Sequence, residues 1–318
     1  MNELRWGIIG CGDVVERKSG PSIQAAGRSR IVAVMRRDAA KAREYAHRHG
    51  VPFWTDRAQE VIDRPEVNIV YVATPPDSHE EYVLAAARAG TPVLVEKPMA
   101  LNAAQAERMA AACEKAGVPL FISYYQRFQP RVLKLRELIR TGRIGRPVQA
   151  FVHLSGKPSP RPLGWWRETP EISGGGLFAD VGTHQLDNMI FLLGEVEEAR
   201  GVASAFDPRS RVEQAVAVCV RFAGGAQCIA TGDFLSGREA PRFDVIGTEG
   251  VLRYSGSIRL ITDAGEERFD PPWEDPQHVG LIRHIEAVLL DGATNEADGR
   301  NGAAVERILD CVLPCRRR

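Results

Sequence analysis

Residues 4–15 read LRWGIIGCGDVV, a short apolar run that ends in a pair of glycines and leads into a charged segment. Gly10 and Gly12 stand in a G-x-G arrangement immediately after the predicted strand. Glycines at these positions permit a tight turn and let the backbone approach a pyrophosphate, which then lies at a helix N-terminus. Turn glycines that bind nothing are common, but the position of this pair after the first strand favours dinucleotide binding. Val15 takes the third position of the pattern, usually glycine or alanine, and predicts looser packing of helix on strand.

The first third of the chain repeats the alternation of strand and helix. The predicted strands are short and apolar, and they lie at 4–9, 31–35, 69–73, 93–95 and 120–123. Segments rich in alanine, arginine and glutamate separate several of them, at 38–49, 79–89 and 102–116. This alternation predicts a parallel sheet covered on both faces, with ligands bound at the carboxyl ends of its strands. We therefore predict an α/β chain that begins with a Rossmann dinucleotide-binding domain over residues 1–123.

The end of the second predicted strand bears on the choice of dinucleotide. An NAD-binding domain usually places an acidic side chain there for the ribose hydroxyls. This sequence reads VAVMRRDAAK over 32–41, so that Met35 and Arg36 stand where the acid is expected and Arg37 follows them. Two guanidinium groups would instead bind the 2′-phosphate of NADP by charge-assisted hydrogen bonds. A solvated arginine pair is the plain alternative, and Asp38 lies close enough to leave NAD open. The pattern favours NADP.

The pattern changes from about residue 124. A helix is predicted over 130–144 and a strand over 148–154, and further strands follow at 212–222, 226–234, 242–246 and 250–254. Runs of strands without intervening helices predict a largely antiparallel sheet. We therefore predict a second, α+β domain over residues 124–318, built on a large, open and mainly antiparallel sheet.

Several more motifs follow the G-x-G turn in a fixed order. They are ATPPDSH at 73–79, EKP at 96–98, YQRF with a following proline at 125–130, SGGGLFADVGTH at 173–184 and GTEG at 247–250. Over nearly the whole chain this set resembles the glucose–fructose oxidoreductase / inositol dehydrogenase (Gfo/Idh/MocA) family of NAD(P)-dependent oxidoreductases. The resemblance implies a dehydrogenase or reductase acting on CH–OH groups. Such an enzyme transfers a hydride between nicotinamide and a secondary alcohol or ketone of a sugar, polyol or related small molecule.

Three residues are the candidate catalytic groups. Lys97 follows a strand at the carboxyl edge of the predicted sheet, and the proline after it keeps the lysine out of helical geometry; in the family this peptide bond is often cis. Asp180 and His184 are four residues apart, and hence neighbours on one helical face. The resemblance implies that Lys97 donates a hydrogen bond to the substrate oxygen and that His184 exchanges the proton, or the reverse. Asp180 would then hold the substrate hydroxyl and steady the charged histidine.

Ligand-binding residues are assigned from the motifs and the resemblance together. For the cofactor they are Gly10, Gly12, Asp13, Val14, Arg36, Arg37, Thr74, Pro75, Pro76, His79, Glu96, Lys97 and Arg167. For the substrate they are Lys97, Tyr125, Arg127, Trp166, Asp180 and His184. Tyr125 is equally well explained as a core residue. Gly174–Gly176 either leave room for a ligand against the backbone or give a flexible start to the next helix. An Asp–His pair four apart is also half of a metal site, but no third ligand has suitable spacing, and we expect no metal.

Composition restricts the partners of the chain. The 41 lysines and arginines equal the 41 aspartates and glutamates, so no overall charge attracts nucleic acid or an anionic membrane. No apolar run reaches the ~20 residues of a membrane span, and the N-terminus has no signal-peptide layout. The six cysteines are scattered without CxxC spacing, which is typical of reduced thiols in the cytoplasm. The resemblance implies a homodimer or homotetramer.

Two alternatives remain at this stage. A glycosidase-type member of the same family keeps NAD bound and uses transient oxidation to labilise a glycosidic bond; the arginine pair and the absence of an export signal argue against it. A non-catalytic sensor would bind dinucleotide and report it to a partner. That hypothesis requires eroded catalytic positions, whereas Lys97, Asp180 and His184 are all present.

Overall fold

The computed structural model describes residues 2–156, 165–238 and 241–316. The chain divides into two compact units. The first comprises Met1–Phe128 and Glu274–Ala303, and the second comprises Gln129–Trp273 and Ala304–Arg318. The observed division differs in two ways from the single domain boundary predicted between residues 123 and 124. The first crossing comes after Phe128, and a later segment returns to the first unit for the packing reasons given below.

A six-stranded parallel sheet forms the centre of the first unit. Its strands are β1 (Leu4–Ile9), β2 (Ser29–Met35), β3 (Phe53–Thr55), β4 (Ile69–Val72), β5 (Val93–Val95) and β6 (Leu120–Ile122). Their order is β3-β2-β1-β4-β5-β6, with parallel pairing throughout. This is the doubly wound order, in which the chain reverses direction across the sheet between β1 and β4. The predicted Rossmann fold is thus confirmed, and β3 is an edge strand that the sequence analysis missed.

Five helices accompany these strands in the chain. They are α1 (Gly20–Ala25), α2 (Ala39–His49), α3 (Ala58–Ile62), α4 (His79–Arg88) and α5 (Ala103–Ala116). The side chain of Asp38 accepts a hydrogen bond from the Lys41 amide at 3.2 Å, and that of Asn102 caps α5 in the same way. These caps explain why α2 and α5 begin one residue later than predicted, since an N-cap residue lies outside helical geometry. Among the described residues no helix is long and apolar enough to cross a membrane.

The second unit is built on an eight-stranded sheet. Its strands are β7 (Pro147–Ser155), β8 (Val196–Ser204), β9 (Ala215–Phe222), β10 (Gln227–Asp233), β11 (Arg242–Gly247), β12 (Gly250–Ser255), β13 (Ser257–Thr262) and β14 (Gly265–Phe269). Their order is β14-β13-β12-β11-β7-β10-β9-β8. Neighbours run antiparallel, except that β7 and β10 pair in parallel. The prediction of a large, mainly antiparallel sheet is confirmed; β8, β13 and β14 were not predicted.

The described residues between 129 and 273 form three α-helices: α6 (Pro130–Arg140), α7 (Pro170–Ser173) and α8 (Thr183–Leu193). The first ends four residues earlier than predicted, because the chain turns at Gly142 with a φ of 72°. A π-helical segment, Phe178–Gly182, leads directly into α8. The helix predicted after the glycine run is therefore present, with a widened first turn.

The last two helices are α9 (Val279–Asp291) and α10 (Gly299–Val312), and α9 completes the first unit. Leu281, Ile282 and Ile285 are fully buried members of its hydrophobic core. Glu286 Oε1 accepts hydrogen bonds from the Arg28 amide at 2.9 Å and from the Ser29 hydroxyl at 2.7 Å, at the start of β2. Apolar burial and these two hydrogen bonds explain why 274–303 belong with the dinucleotide-binding residues.

Candidate active site

The two glycines of the first turn have different physical roles. Gly10 has a φ of +97°, and a Cβ there would lie 2.9 Å from the carbonyl carbon and oxygen of Ala73. Gly10 is therefore needed by the fold itself. At Gly12 the nearest atom to an added Cβ is the Gly10 oxygen, 3.9 Å away, so the space in front of Gly12 is open. The Gly10 and Cys11 amides donate to the Met35 carbonyl at 2.9 and 3.1 Å, which ties the turn to the end of β2.

The segment after this turn is buried in part. Val15 is fully buried, and the looser helix–strand packing expected from the missing third glycine stays a prediction. Residues 15–19 form a π-helical turn, and such widened turns are frequent at functional sites. Val14 is half-buried, whereas Asp13 is exposed and pairs with Arg17 at 2.9 Å.

A cavity of about 330 Å³ lies beside Gly12 and the end of β2. It is lined by Cys11, Gly12, Asp13, Glu16, Arg36, Lys41, Glu44, Tyr45 and Arg48. Arg48 pairs with Glu16 at 2.7 Å, which holds the pKa of that carboxyl below its ordinary value. Lys41 pairs with Asp38 at 3.3 Å. The Arg36 guanidinium approaches only the Cys11 carbonyl, at 3.4 Å, and has no carboxylate partner among the described residues.

Arg37 has a different environment from its neighbour. It is exposed, and it does not line the cavity. Its charge acts on Tyr82 of α4, where it partly offsets the rise in the pKa of Tyr82 caused first by burial and then by Glu81. The two arginines that the sequence analysis treated as a pair therefore point to different surroundings.

The turn after β4 is fastened to the turn after β5 by His79. This side chain is fully buried, with Nε2 2.8 Å from the Thr74 carbonyl and Nδ1 3.1 Å from the Met99 carbonyl. Burial lowers the pKa of His79, and a neutral ring donates to only one of these oxygens. Both ring nitrogens thus face backbone carbonyls, so that His79 holds the Thr74 turn in place, and its cofactor role stays a prediction.

The two prolines between Thr74 and His79 differ in burial. Pro75 is half-buried and Pro76 is buried. The Ser78 hydroxyl donates to the Thr74 hydroxyl at 2.8 Å and to the Pro75 carbonyl at 3.0 Å. These bonds fix the turn at the carboxyl end of β4, on the sheet edge where such folds bind their ligands.

Glu96 is the buried anchor of the EKP turn. Its Oε1 accepts hydrogen bonds from the Tyr71 hydroxyl at 2.6 Å and the Ser123 hydroxyl at 2.9 Å, and its Oε2 accepts from the Lys97 amide at 3.2 Å. Burial and then the Glu96 charge raise the pKa of Tyr71 well above its ordinary value, so the phenol remains a donor. The Lys97–Pro98 peptide bond is cis, as the resemblance implied. Lys97 is half-exposed beside the buried carboxylate.

Tyr125 and Arg127 are both buried within the first unit. The Tyr125 ring stacks on His278, with the ring centroids 4.3 Å apart. The Arg127 guanidinium donates to the Glu296 carbonyl. These contacts account for both residues as structural elements, and their predicted role in substrate binding stays a prediction.

His278 is a residue that the sequence analysis did not assign. It is 2% exposed, and its Nδ1 has no hydrogen-bond partner in the part of the chain that the structure describes. Burial lowers the pKa of His278 to about 4; Glu96 acts in the opposite direction, and Lys18 and Lys97 act in the same direction. A neutral imidazole is therefore held within electrostatic reach of Glu96 and Lys97.

In the second unit, Arg167 pairs with Asp180. Arg167 Nε lies 2.8 Å from Asp180 Oδ2, and the guanidinium stacks over the Trp166 ring at 4.3 Å. The sequence analysis had placed Arg167 on the cofactor and Asp180 in the chemistry. His184 is buried, one helical turn beyond Asp180 in the chain.

The glycine run before this helix does not leave ligand space at two of its three positions. A Cβ on Gly175 would lie 2.7 Å from the Ala179 Cβ, and one on Gly176 would lie 2.9 Å from the Glu213 carbonyl oxygen. Protein atoms therefore fill the room that the sequence analysis offered to a ligand. The sequence analysis missed Glu213 because it lies 37 residues from Gly176, its hydrogen-bond partner in the glycine run. No local sequence pattern predicts a contact over that separation.

Known proteins match both halves of the chain. Residues 4–124 match the model described as an oxidoreductase family with an NAD-binding Rossmann fold, and residues 132–253 match the GFO/IDH/MocA C-terminal domain. Oxidoreductase P35 of Formosa agariphila is 34% identical over 316 residues, covering 97% of this chain and 98% of the relative. The chain belongs to the GFO/IDH/MocA oxidoreductase family.

Other members of the GFO/IDH/MocA family carry more specific names. The 1,5-anhydro-D-fructose reductase of Ensifer adhaerens is 35% identical over 251 residues, covering 78% of this chain and 74% of that protein. The aldose–aldose oxidoreductase of Caulobacter crescentus, solved with glycerol, superposes with a TM-score of 0.87 at 28% identity, covering 97% of this chain and 96% of that one. The chain is accordingly an oxidoreductase with an NAD-binding Rossmann domain.

Proposed function

We propose that this enzyme transfers a hydride between NADP and a secondary alcohol or ketone of a sugar or polyol. The carbohydrate assignment is supported by relatives named as a 1,5-anhydro-D-fructose reductase and an aldose–aldose oxidoreductase. The observation that carries the cofactor choice is Arg36, a half-buried guanidinium in the cavity beside Gly12 with no carboxylate partner among the described residues.

Two features at the end of β2 support NADP over NAD. Arg36 is available to form charge-assisted hydrogen bonds with a 2′-phosphate. Asp38, the acid nearest the usual ribose-binding position, caps α2 and pairs with Lys41. These contacts hold the pKa of Asp38 below its ordinary value and leave its carboxylate committed to the helix.

The catalytic roles follow from the chemistry of the groups. Bound nicotinamide supplies or accepts the hydride. Lys97 donates a hydrogen bond to the substrate oxygen and stabilises the negative charge that develops there. His184 exchanges the proton, because an imidazole nitrogen both accepts and donates a proton and so serves both reaction directions. Asp180 holds the substrate hydroxyl, and its charge is balanced by Arg167. The roles of Lys97 and His184 are exchanged if the lysine delivers the proton.

The supporting residues have a separate function. Glu96 fixes the Lys97 amide through its own carboxylate, and His79 ties the turn containing Thr74 to the turn containing Met99. Such positioning matters because displacement of a catalytic group by about 1 Å costs on the order of a hundredfold in rate.

We propose a homodimer or homotetramer assembled through the face of the second unit's sheet that carries Phe151 and Asp244. Phe151 and Asp244 are register partners on this face, and Asp244 is also paired with Arg253 in the next strand. Asp244 is held between Arg242 at 2.8 Å and Arg253 at 3.1 Å. Light scattering of the wild type and of Phe151→Glu tests the proposal: an unchanged oligomer in the variant contradicts it.

We also propose a reducing, cytoplasmic setting. All six cysteines are free thiols, and Cys11, Cys113 and Cys228 are buried. Burial raises the pKa of each of these three thiols, to about 11 for Cys11 and Cys113 and to about 12 for Cys228. Thiols of this kind remain protonated and unreactive at neutral pH.

The absorbance of NADPH and NADH tests the proposed reaction directly. The purified enzyme is incubated with NADP⁺ or NAD⁺ and a panel of aldoses, anhydrosugars and polyols, and with NADPH or NADH and the matching keto-sugars. We expect turnover of at least one carbohydrate, faster with the phosphorylated cofactor. Cofactor binding without turnover of any panel member would favour the sensor, whereas release of a glycoside's aglycone without net reduction would favour the glycosidase type.

A further inference from the structure

At the start of the helix that carries Asp180 and His184, backbone amides donate hydrogen bonds to a carboxylate from a distant part of the chain. Glu213 lies between β8 and β9 and is buried. Its Oε2 accepts a hydrogen bond from the Gly176 amide at 2.7 Å, and its Oε1 accepts one from the Ala179 amide at 3.0 Å. The first amides of a helix have no partner within the helix, so a carboxylate placed there satisfies them and favours this position of the chain.

The C-terminal turn contacts Gly174, which precedes these amides in the chain. The Arg316 side chain is 1% exposed, and its Nε donates to the Gly174 carbonyl. Its Nη1 lies 2.5 Å from Glu306 Oε2 and 3.5 Å from Asp310 Oδ1. Burial acts to lower the pKa of Arg316, but Glu306 and Asp310 outweigh it, so the guanidinium remains charged. A buried ion pair of this kind is costly to break, because the remaining charge is left uncompensated.

Arg316 and Glu213 act on the same short segment from two sides. Burial raises the pKa of Glu213, and the backbone amides and then the Arg316 charge act against that rise. Leu313 approaches the same place, since a Cβ on Gly175 would lie 3.0 Å from its Cδ1. The glycines are small enough to let Glu213 and the C-terminal turn close directly on the backbone, which leaves little freedom at the start of the helix.

We propose that Glu213 and Arg316 are positioning residues for Asp180 and His184. Neither touches substrate or cofactor in this proposal; together they fix the start of the helical segment, which begins at Phe178, two residues before Asp180. Because the rate of a positioned proton transfer falls steeply with small displacements, loosening this start lowers turnover more than it lowers ligand binding. The inference rests on the proposed function through the roles given to Asp180 and His184.

The test uses Arg316→Lys and Glu213→Gln in the full-length enzyme. Lysine keeps the charge but cannot bridge Gly174 and Glu306 with one rigid fork, and glutamine keeps one of the two acceptor oxygens. Arg200→Ala is the matched control, because Arg200 forms an exposed ion pair with Glu198 on β8 in the same unit. Arg316→Ala is not the main test, because it buries the Glu306 carboxylate without the charge of Arg316 beside it.

Two readouts are compared. Hydrogen exchange of the Gly176 and Ala179 amides should accelerate ~10-fold or more in both variants, because the start of the helix loses a buried hydrogen-bond partner. Exchange of the amides in β9 and β10 should stay unchanged. The kcat is expected to fall ~10-fold or more while the dissociation constant of NADPH stays within about twofold. Arg200→Ala should match the wild type in both. Unchanged exchange, or accelerated exchange with unchanged kcat, overturns the inference.

Failure of the proposed function gives a different result. If the wild type turns over no carbohydrate, hydrogen exchange alone is decisive: localised acceleration at Gly176 and Ala179 supports the fastening of this helix by Glu213 and Arg316, and its absence overturns it.

Discussion

Arg167 and Asp180 form an ion pair of 2.8 Å, with the guanidinium stacked over the Trp166 ring. Both side chains are partly exposed, at 32% and 22%. The contact joins two residues that the sequence analysis assigned to different ligands, and it gives Arg167 a role that does not require the cofactor. A guanidinium fixed on an aromatic face loses little further freedom when it pairs with a carboxylate.

Replacing Arg167 distinguishes the two roles. Arg167→Ala is expected to lower kcat/KM for the carbohydrate by ~10-fold, because Asp180 loses the charge that orients it. The dissociation constant of NADPH should stay within about twofold, measured by fluorescence titration. Arg167→Lys should recover part of the activity. A large loss of NADPH affinity in Arg167→Ala would instead support the original assignment of Arg167 to cofactor binding.

Lys97→Ala and His184→Ala should each lower kcat by ~10²-fold or more, the usual effect of losing an acid/base group or a donor to a developing charge. NADPH affinity should hardly change, because neither residue is expected to grip the dinucleotide strongly. Steady-state kinetics on a substrate from the panel and binding titrations measure the two effects separately. Turnover that survives both substitutions would mean that the chemistry uses other residues.

Arg36→Ala is expected to weaken NADPH binding by ~10- to 100-fold, equivalent to about 1.5–3 kcal/mol, while NADH binding stays nearly constant. Arg37→Ala is the neighbouring control. Its side chain is exposed and lies outside the cavity, so its effect should be much smaller. The measurement is the ratio of the two dissociation constants in each variant. Tighter binding of NADH than of NADPH by the wild type would refute the assignment.

Gly10→Ala and Gly12→Ala form a matched pair. The first should lower the free energy of unfolding by roughly 1–3 kcal/mol, since its φ of +97° and the nearby Ala73 backbone oppose a Cβ. The second should fold with nearly wild-type stability, because its methyl group has room, yet lose cofactor affinity where the pyrophosphate approaches. Denaturant unfolding and NADPH titration separate the two outcomes. Wild-type NADPH affinity in Gly12→Ala would rule out this approach.

Acid should destabilise the first unit through His278. Its pKa in the folded state is about 4, against an ordinary value of 6.5, so the unfolded chain binds the extra proton between these values. The associated stability is complete above pH 6.5 and is lost as pH falls to about 4, to a total of about 3 kcal/mol. His278→Gln should flatten this part of the curve of unfolding free energy against pH. The exposed His47→Gln should not, and an identical slope in His278→Gln would contradict the prediction.

Sequence reasoning was most accurate where local chemistry dominates. The apolar strand before Gly10, the apolar strand before Glu96 and the capped helices α2 and α5 were placed within one residue at most of their ends. The two strands are buried, and the two helices are capped by Asp38 and Asn102 at their starts and by glycines at their ends, so a short window of sequence contains the whole signal.

The misses share a different cause. β8 and β14 carry many charged residues, since each lies at an edge of the sheet and is largely exposed, and the apolar alternation of a strand is therefore weak. The partnerships Glu213–Gly176 and Arg316–Gly174 join residues 37 and 142 positions apart, respectively. No periodicity within either segment encodes such a contact. The site residues of the second unit could be proposed from a motif, but the groups that hold them required the tertiary structure.

The return of α9 to the first unit affects the order in which the protein can be completed during synthesis. A ribosome that has released residues 1–128 has made all six strands of the first sheet but not Leu281, Ile282 and Ile285, which are fully buried in its core. It must add the whole intervening stretch to 273 before those side chains arrive. Because domains mature as cooperative units, the nascent dinucleotide-binding half keeps apolar surface uncovered throughout that interval. The second unit therefore emerges from the ribosome while the core of the first is still incomplete.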